Sequence, residues 1–256
     1  MIIKNITEIK ENYYEIDALS NSYLKLFAKS PAHTKIKYKT DALDFGTAMH
    51  NIILEKKEYY VYEKLDGRKA DGKAQKIEID SKIEAGELVI EKSDYEIIKA
   101  LQTELLTRKI DEIKMSTILE NGVIEQGYLA ECEIGGKEFK LKIKPDLSYE
   151  TESEILILDL KSCVKASDFF WDVKKYKYDW QAELYSAVMR ELTGKPARFI
   201  FVAMEKSFPH GVKMFEVDSS KTKLKIEDTI VEWLDWQLWG ADTNIKYKNE
   251  IETLYL

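Results

Sequence analysis

Two aspartates and one lysine are spaced so that they could hold a divalent metal ion. Asp146 follows Pro145 after a predicted strand, and thirteen residues later Asp159 opens the motif Asp159-Leu160-Lys161. Because alternate residues of a strand face the same side, Asp159 and Lys161 are expected to share a face. Carboxylates suit Mg²⁺, which also keeps water and substrate phosphate as ligands. The pattern favours metal-assisted phosphodiester hydrolysis, with Lys161 orienting the water or stabilising developing charge. A lone Asp-x-Lys pattern also fits the solvated end of a strand.

The strands that must position these side chains are visible as patterns of apolar residues. Residues 127–134 and 138–144 alternate apolar and polar residues, and Gly135-Gly136 between them indicates a tight hairpin. The apolar run at 154–160 is typical of a buried central strand. The later elements are predicted to be a helix at about 166–193, strands at 198–204 and 212–217, and a helix at about 219–239. Together they predict an α/β core with a mixed central sheet flanked by helices.

The N-terminal part is predicted to be mainly helical. Ser20 can cap a helix that Pro31 ends or restarts, and a second helix is expected at about 44–55. Residues 64–76 are polar and rich in Lys, Gly and Asp, which predicts an exposed, mobile loop. Residues 80–121 predict two amphipathic helices.

The composition indicates a soluble globular protein, with 45% hydrophobic and 33% charged residues. No apolar run approaches the roughly 20 residues of a membrane helix, and the start resembles no secretory signal, so we expect a cytoplasmic location and no membrane partner. The isolated Cys132 and Cys163 are too few for a four-cysteine iron–sulfur cluster and fit a reducing compartment. We expect a single domain over 1–256, with a mainly helical part at 1–125 and a mixed-sheet catalytic core at 126–240.

The charge is a weak guide to nucleic-acid binding. The net charge of −7 argues mildly against it, because such proteins usually carry a basic footprint. Between Lys161 and Lys225, however, thirteen Lys and Arg residues stand against eight Asp and Glu residues, a local excess of five. A Walker loop, a GxSxG elbow and an HExxH helix are all absent from the sequence, which argues against those ATPase, hydrolase and metalloprotease sites.

The predicted metal site resembles a known nuclease signature. The Pro-Asp segment followed by Asp-Leu-Lys is similar to the PD-(D/E)XK motif. In WQAELY, Gln181 and Tyr185 lie one helical turn apart and resemble the Q-x-x-x-Y motif of the RecB-like branch. The segment FGTAMHNIILE resembles the helix of that branch that carries a metal-binding histidine, here His50.

Two further segments resemble the nuclease domain of phage-type exodeoxyribonuclease VIII (RecE). SNSYLKLFAKSPAH is similar to the opening of that domain, and GRKADGK, with Arg68 and Lys73, loosely resembles a basic DNA-binding loop of the group. The similarity spans about Ser20 to Phe201. It implies a restriction-endonuclease-like core preceded by a helical N-terminal segment.

The resemblance also implies a role for each matching residue. The implied metal ligands are His50, Asp146, Asp159 and the carbonyl oxygen of Leu160. Lys161 would position or activate the attacking water. Gln181 and Tyr185 would support the catalytic site or contact the DNA.

The activity implied by the resemblance is that of a Mg²⁺-dependent 5′→3′ exodeoxyribonuclease. It would act on the ends of linear double-stranded DNA and leave 3′ single-stranded tails for recombination by strand annealing. Mn²⁺ is expected to substitute for Mg²⁺, and Ca²⁺ to inhibit. The implied partners are a single-strand annealing protein and further copies of the chain in a ring-shaped oligomer, such as a tetramer, in a bacterial or phage-infected cell.

Two other functions fit the same fold. One is a PD-(D/E)XK endonuclease of restriction or Cas4-like type, although two cysteines cannot build the cluster that Cas4-like proteins usually carry. The other is a catalytically inactive DNA-binding or assembly module, against which the intact Asp146, Asp159 and Lys161 argue.

Several candidate residues also have purely structural interpretations. His50 could be an ordinary helix histidine, and Gln181 and Tyr185 could form a packed helix face. Glu131 or Glu133 could join the metal site or lie on a solvated strand face. Three lysines could bind DNA phosphates or could instead form a solvated helix face: Lys174, Lys175 and Lys177. Five tryptophans could stack on bases, although aromatic residues at helical spacing usually lie in the core: Trp171, Trp180, Trp233, Trp236 and Trp239.

Overall fold

The computed structural model describes residues 1–36 and 41–238. The strands are β1 (Ile2–Ile9), β2 (Leu19–Ser20), β3 (Tyr60–Tyr62), β4 (Val89–Glu91), β5 (Lys109–Ile110), β6 (Ile113–Lys114), β7 (Val123–Ile124), β8 (Gly127–Ile134), β9 (Lys137–Ile143), β10 (Leu147–Glu150), β11 (Ile155–Cys163), β12 (Ala197–Glu205) and β13 (Val212–Glu216). The helices are α1 (Asn21–Phe27), α2 (Asp41–Ile53), α3 (Ala70–Glu84), α4 (Lys92–Leu106), α5 (Met115–Asn121), α6 (Phe169–Lys175), α7 (Tyr178–Thr193) and α8 (Lys223–Leu238). Short 3₁₀ helices cover Pro31–Lys35 and Ala166–Asp168.

The main sheet has the strand order β13-β12-β11-β10-β7, with β11 at its centre. β11 runs parallel to β12 and antiparallel to β10, so the sheet is mixed, as the sequence predicts. β11 is buried on both faces. Ile155 and Ile157 face one core and Leu156, Leu158 and Leu160 the other, which explains its continuous apolar run.

Helices cover both faces of this sheet. α7, α1 and α8 pack on one face together with a second sheet of order β1-β8-β9-β2, and α2, α4 and α5 pack on the other face. The β8–β9 hairpin turns at Gly135 and Gly136, whose φ angles of 56° and 78° suit glycine, so the predicted hairpin is confirmed. The predicted cap is also confirmed, because the Ser20 hydroxyl accepts the Tyr23 N–H at 3.3 Å.

The strand that carries Asp146 differs from the prediction. β9 ends at Ile143 and belongs to the second sheet, whereas Asp146 precedes β10, a strand of four residues that the sequence analysis does not predict. β10 pairs with β11 so that Leu147 lies opposite Leu158. The pairing of β10 with β11 therefore places Asp146 beside Asp159.

The N-terminal part also contains a strand, because β1 pairs with β8. Three other predictions are wrong in detail. The polar loop predicted over 64–76 is shorter, because α3 begins at Ala70, and residues 80–121 contain parts of three helices. The helix predicted over 166–193 is broken, because Lys177 adopts a left-handed φ of 50° that an α-helix does not allow.

In the described ranges, no helix is both long and apolar enough to cross a membrane.

Candidate active site

His50 lies in the last turn of α2, where this helix packs against β11. Its Nε2 is 2.8 Å from the carbonyl oxygen of Leu160, to which it donates, and 3.4 Å from Oδ2 of Asp146. Asp146 is buried, and its Oδ2 also accepts the backbone N–H of Leu160 at 2.7 Å. The structure thus brings together three of the four predicted ligand groups: the His50 imidazole, the Asp146 carboxylate and the Leu160 carbonyl.

Asp159 and Lys161 share one face of β11, as the strand spacing predicts. Lys161 Nζ forms an ion pair with Oδ1 of Asp159, and the amide nitrogen of Gln181 donates to Oδ2. Gln181 comes from the first turns of α7, and Asp159 is only 1% exposed. Each oxygen of this carboxylate therefore has a neighbouring cation or donor that fixes its orientation.

Glu125 is a site residue that the sequence analysis missed. It follows β7 with a left-handed φ of 52°, and its N–H donates to the carbonyl of Asp146 at 3.0 Å. Its Oε1 is 3.5 Å from Nδ1 of His50, and its Oε2 is 2.6 Å from Nζ of Lys144. Burial would raise the pKa of Glu125, but His50 and Lys144 lower it below its ordinary value. No local pattern signals this residue, because its role depends on a strained turn and on contacts with distant residues.

The site has two parts that differ in charge. We call His50, Glu125 and Asp146 the histidine half, and Asp159, Lys161 and Gln181 the lysine half. Burial would lower the pKa of His50, but Asp146, Glu125 and the Leu160 carbonyl raise it to about 9. Burial and the charge of Asp159 raise the pKa of Asp146 to about 7. The histidine half therefore retains protons in the absence of another cation.

Lys161 keeps its proton as well. Burial would lower the pKa of the Lys161 ammonium, but Asp159 and Asp146 hold it above the ordinary value. The ammonium also lies 5.3 Å from the centroid of the Tyr178 ring. Lys161 is therefore a half-buried ammonium group at the wall of the site.

A cavity of about 600 Å³ opens beside the lysine half. Its lining includes Asn21, Lys25, His50, Lys161, Tyr178 and Tyr185. Tyr185 is largely buried, packs edge-on against Phe199 and is hydrogen-bonded to the backbone of Lys144, so it joins α7 to the end of β9. Gln181 and Tyr185 both line this cavity on one face of α7, as the Q-x-x-x-Y spacing predicts.

The sequence from residue 20 to residue 233 matches the model of a family described as a PDDEXK-like domain of unknown function (DUF3799). The chain belongs to this family. The match covers both halves of the site and all the elements that position them. The resemblance inferred from the Pro-Asp and Asp-Leu-Lys segments is thereby confirmed at the level of the PD-(D/E)XK group, and it supports a nuclease-type hydrolase.

A solved structure shows the same fold. A protein of Eubacterium rectale described as a candidate exonuclease aligns with this PDDEXK-like chain at a TM-score of 0.62 and 16% identity, covering 97% of this chain and 95% of its own. SSO0001 aligns weakly, at a TM-score of 0.32 and 17% identity, covering 73% of this chain and 86% of its own. Rai1 of Scheffersomyces stipitis also aligns weakly, at a TM-score of 0.28 and 14% identity, covering 65% of this chain and 50% of its own. A search among curated proteins finds no match.

The donor set of this PDDEXK-like site fits a small, hard divalent cation. His50, Glu125 and Asp146 each offer a ligand atom within 4.8 Å of the others, the one such cluster in the ranges 1–36 and 41–238. Carboxylate oxygens with one imidazole nitrogen can hold a divalent cation. Because His50 directs Nε2 toward Asp146 and Leu160 and Nδ1 toward Glu125, Glu125 fits the carboxylate that orients a ligating histidine from behind.

Glu131 and Glu133 lie apart from this cluster. Glu131 is exposed on β8, and Glu133 forms an ion pair with Lys4 at 2.6 Å. Neither is in the cluster of potential metal ligands in the part of the chain that the structure describes. They occupy the solvated strand face that the sequence analysis left open as the alternative.

The predicted DNA-contacting residues lie in two exposed regions. Arg68 is 92% exposed at its side chain and binds Asp66, and Lys73 lies on the exposed side of α3. Lys174 and Lys175 are exposed near the end of α6, and Lys177 follows at the break before α7.

The tryptophans divide between core and surface. Trp180 and Trp233 are buried, and Trp236 packs against the same core. Trp171 is 66% exposed on α6, where Lys174 Nζ lies 5.6 Å from its ring centroid. Trp239 lies outside the described residues.

Proposed function

We propose that this chain is a Mg²⁺-dependent exodeoxyribonuclease that degrades linear double-stranded DNA from the 5′ end. The observation that carries the proposal is the convergence of the Asp146 and Asp159 carboxylates, the His50 Nε2 and the Lys161 ammonium beside one cavity. The similarity in fold to the Eubacterium rectale protein and the resemblance to the RecE nuclease domain favour exonuclease action. Mn²⁺ would substitute for Mg²⁺, and Ca²⁺ would occupy the site without supporting cleavage.

The residues divide the chemistry between them. His50, Asp146, Asp159 and the Leu160 carbonyl would hold a divalent cation, which when bound would polarise the phosphoryl oxygen and make the attacking water more acidic. Lys161, protonated beside Asp159, hydrogen-bonds the attacking water and offsets charge that develops on the phosphoryl group. Gln181 fixes Asp159, and Glu125 fixes the imidazole.

The proposal also includes DNA contacts outside the metal site, the product and the partners. Arg68, Lys73, Lys174, Lys175 and Lys177 would contact DNA phosphates, and the exposed Trp171 would stack on an unpaired base. The product would be a 3′ single-stranded tail, taken over by a single-strand annealing protein in the cytoplasm of a bacterial or phage-infected cell. A ring-shaped oligomer of the chain would keep the enzyme on its DNA.

An end-labelling experiment tests the activity. Linear duplex DNA labelled at the 5′ or 3′ terminus is incubated with the protein and Mg²⁺, and in parallel with Ca²⁺. We expect early release of the 5′ label as mononucleotides with Mg²⁺ only, and no cutting of closed circular DNA. Lys161→Ala should be inactive, whereas Lys140→Ala, which removes an exposed lysine from β9, should retain full activity.

Other outcomes point to the other functions of this fold. Cutting of closed circles would identify an endonuclease. Early release of the 3′ label would reverse the proposed polarity. DNA binding without cleavage in Mg²⁺ or Mn²⁺ would contradict the enzymatic proposal and favour a binding or assembly module.

A further inference from the structure

The wall of the active-site cavity formed by α1 carries polar residues with no role in the metal site. Asn21 and Lys25 both line the cavity and are four residues apart, so they lie on the same face of the helix. Tyr178 and Lys161 line the same cavity. α1 therefore adds an amide and an amine to the lysine half of the site.

Asn21 is a buried amide with an unsatisfied polar atom. The residue is only 5% exposed, and its Oδ1 has no hydrogen-bond partner among the described residues. A buried polar group normally has a partner, because leaving water without one is costly. Rotation of the amide by 180° presents its NH₂ group at the same position. Asn21 can therefore offer either a donor or an acceptor to a molecule in the cavity.

Lys25 brings a second positive charge close to Lys161. The two ammonium groups each lie 5.3 Å from the centroid of the Tyr178 ring. Lys161 is paired with Asp159, whereas Lys25 has no carboxylate within ion-pair distance in the described part of the chain. Burial and the nearby Lys161 lower the pKa of Lys25 to about 8, although Asp159 and Asp179 oppose this. The cavity thus contains a second cation that forms no ion pair with a carboxylate of the described residues.

We propose that Lys25 and Asn21 form a phosphate-binding subsite, which holds a phosphate group of the nucleic-acid strand next to the reacting centre. This inference rests on the proposed function in taking the phosphate to belong to a nucleic acid. A phosphate offers several oxygens, so it can accept from the Lys25 ammonium and the Asn21 amide together. Its negative charge relieves the repulsion between Lys25 and Lys161. Lys25 is thus a substrate-binding residue on an element separate from the metal ligands.

Inorganic phosphate tests the subsite without any cleavage. Thermal unfolding is followed with phosphate or chloride at equal ionic strength, for wild type and for Lys25→Met, which removes the charge and keeps an unbranched side chain. We expect phosphate to raise the Tm of the wild type and of Lys25→Arg, but not that of Lys25→Met. Lys29→Met, which removes an exposed lysine four residues further along, is the matched control and should respond as the wild type does. An equal response of Lys25→Met and wild type would overturn the subsite.

DNA binding in Ca²⁺ then identifies the phosphate. Affinities are measured for duplexes with a 5′-phosphate or a 5′-hydroxyl end, with circular dichroism as the check on folding. Lys25→Met should bind about tenfold more weakly and Lys29→Met within about twofold of wild type. A loss confined to 5′-phosphorylated DNA assigns the terminal phosphate, and an equal loss on both duplexes assigns an internal phosphodiester. Unchanged affinity for both duplexes would overturn the inference, whereas a failure of wild type to cleave in Mg²⁺ would count against the proposed function alone.

Discussion

The two halves of the active site differ in their balance of positive and negative charges. In the histidine half, the carboxylates outweigh the single imidazole, and the pKa values of Asp146 and His50 rise to about 7 and about 9. In the lysine half, and on the adjoining wall of α1, the Lys161 and Lys25 ammonium groups approach the same ring, and one carboxylate, Asp159, forms an ion pair there. The carboxylates of the site thus gain from a bound cation, and the Lys161 and Lys25 ammonium groups gain from a bound anion. Metal binding and phosphate binding should therefore be separable by mutation.

Loss of the lysine amine should give the largest effect on rate. Lys161→Ala removes the cation that faces the reacting phosphate, and we expect cleavage to fall by at least ~10³-fold, with the fold intact. Metal affinity, measured by calorimetry, should stay within a few-fold of wild type. Asp159→Ala should abolish both cleavage and most of the metal affinity. A Lys161→Ala protein that cleaves at a near-normal rate would refute the catalytic assignment.

Neutralisation of Asp146 should remove metal binding and stabilise the metal-free protein. Because the pKa of Asp146 is raised to about 7, its contribution to stability is complete below the unfolded pKa of about 4 and is lost as pH rises through about 7. Asp146→Asn stays neutral and can still accept the Leu160 N–H. At pH 8 without metal, the free energy of unfolding should exceed that of wild type by on the order of 2 kcal/mol.

The pH dependence supplies the control for this variant. The difference in unfolding free energy between Asp146→Asn and wild type should shrink toward zero by about pH 4, where both side chains are neutral. Mg²⁺ should raise the Tm of wild type only. A variant less stable than wild type at pH 8 without metal would contradict the unfavourable charge assigned to Asp146.

Substitution of Glu125 or of His50 should have intermediate effects on metal affinity. Glu125→Gln keeps the shape of the side chain but removes the charge that faces Nδ1 of His50, and we expect metal affinity to fall by about ten- to a hundredfold. His50→Ala should also weaken metal binding, though less than Asp159→Ala does. Calorimetric titration with Mn²⁺ checks both. Unchanged metal affinity in His50→Ala would indicate a structural role for this histidine instead.

Exposed cations on α6 should have the smallest effect. Lys174→Ala is expected to weaken DNA binding a few-fold and to reduce the slope of log affinity against log salt concentration by about one, without changing metal affinity. Lys140→Ala is the matched surface control. A salt slope identical to that of wild type would remove Lys174 from the DNA contact surface.

Sequence patterns predict those features that depend on a single secondary-structure element or turn. The apolar run of β11 and the spacing of Asp159 and Lys161 are local features, and the hairpin follows from Gly135-Gly136, which tolerate positive φ. The Q-x-x-x-Y spacing likewise requires only one helix. These features depend on periodicity along a single element, which the sequence displays directly.

The missed features depend on long-range contacts. β10 has four residues and is a strand because it pairs with β11 on one side and β7 on the other. Glu125 acts through His50 and Lys144, and its left-handed backbone leaves no pattern in the sequence. The break at Lys177 lies inside a segment for which the sequence analysis predicts one continuous helix. Tertiary packing decides all three, so local propensity could not reveal them.

A crystal structure of the protein soaked with Mn²⁺ tests the central claim most directly, because Mn²⁺ is located by its anomalous scattering. We predict a peak within coordination distance of His50 Nε2, an Asp146 oxygen, the Leu160 carbonyl and Asp159, with Glu125 in contact with Nδ1 of His50. An anomalous peak elsewhere, or none at this site in a crystal saturated with Mn²⁺, would contradict the account.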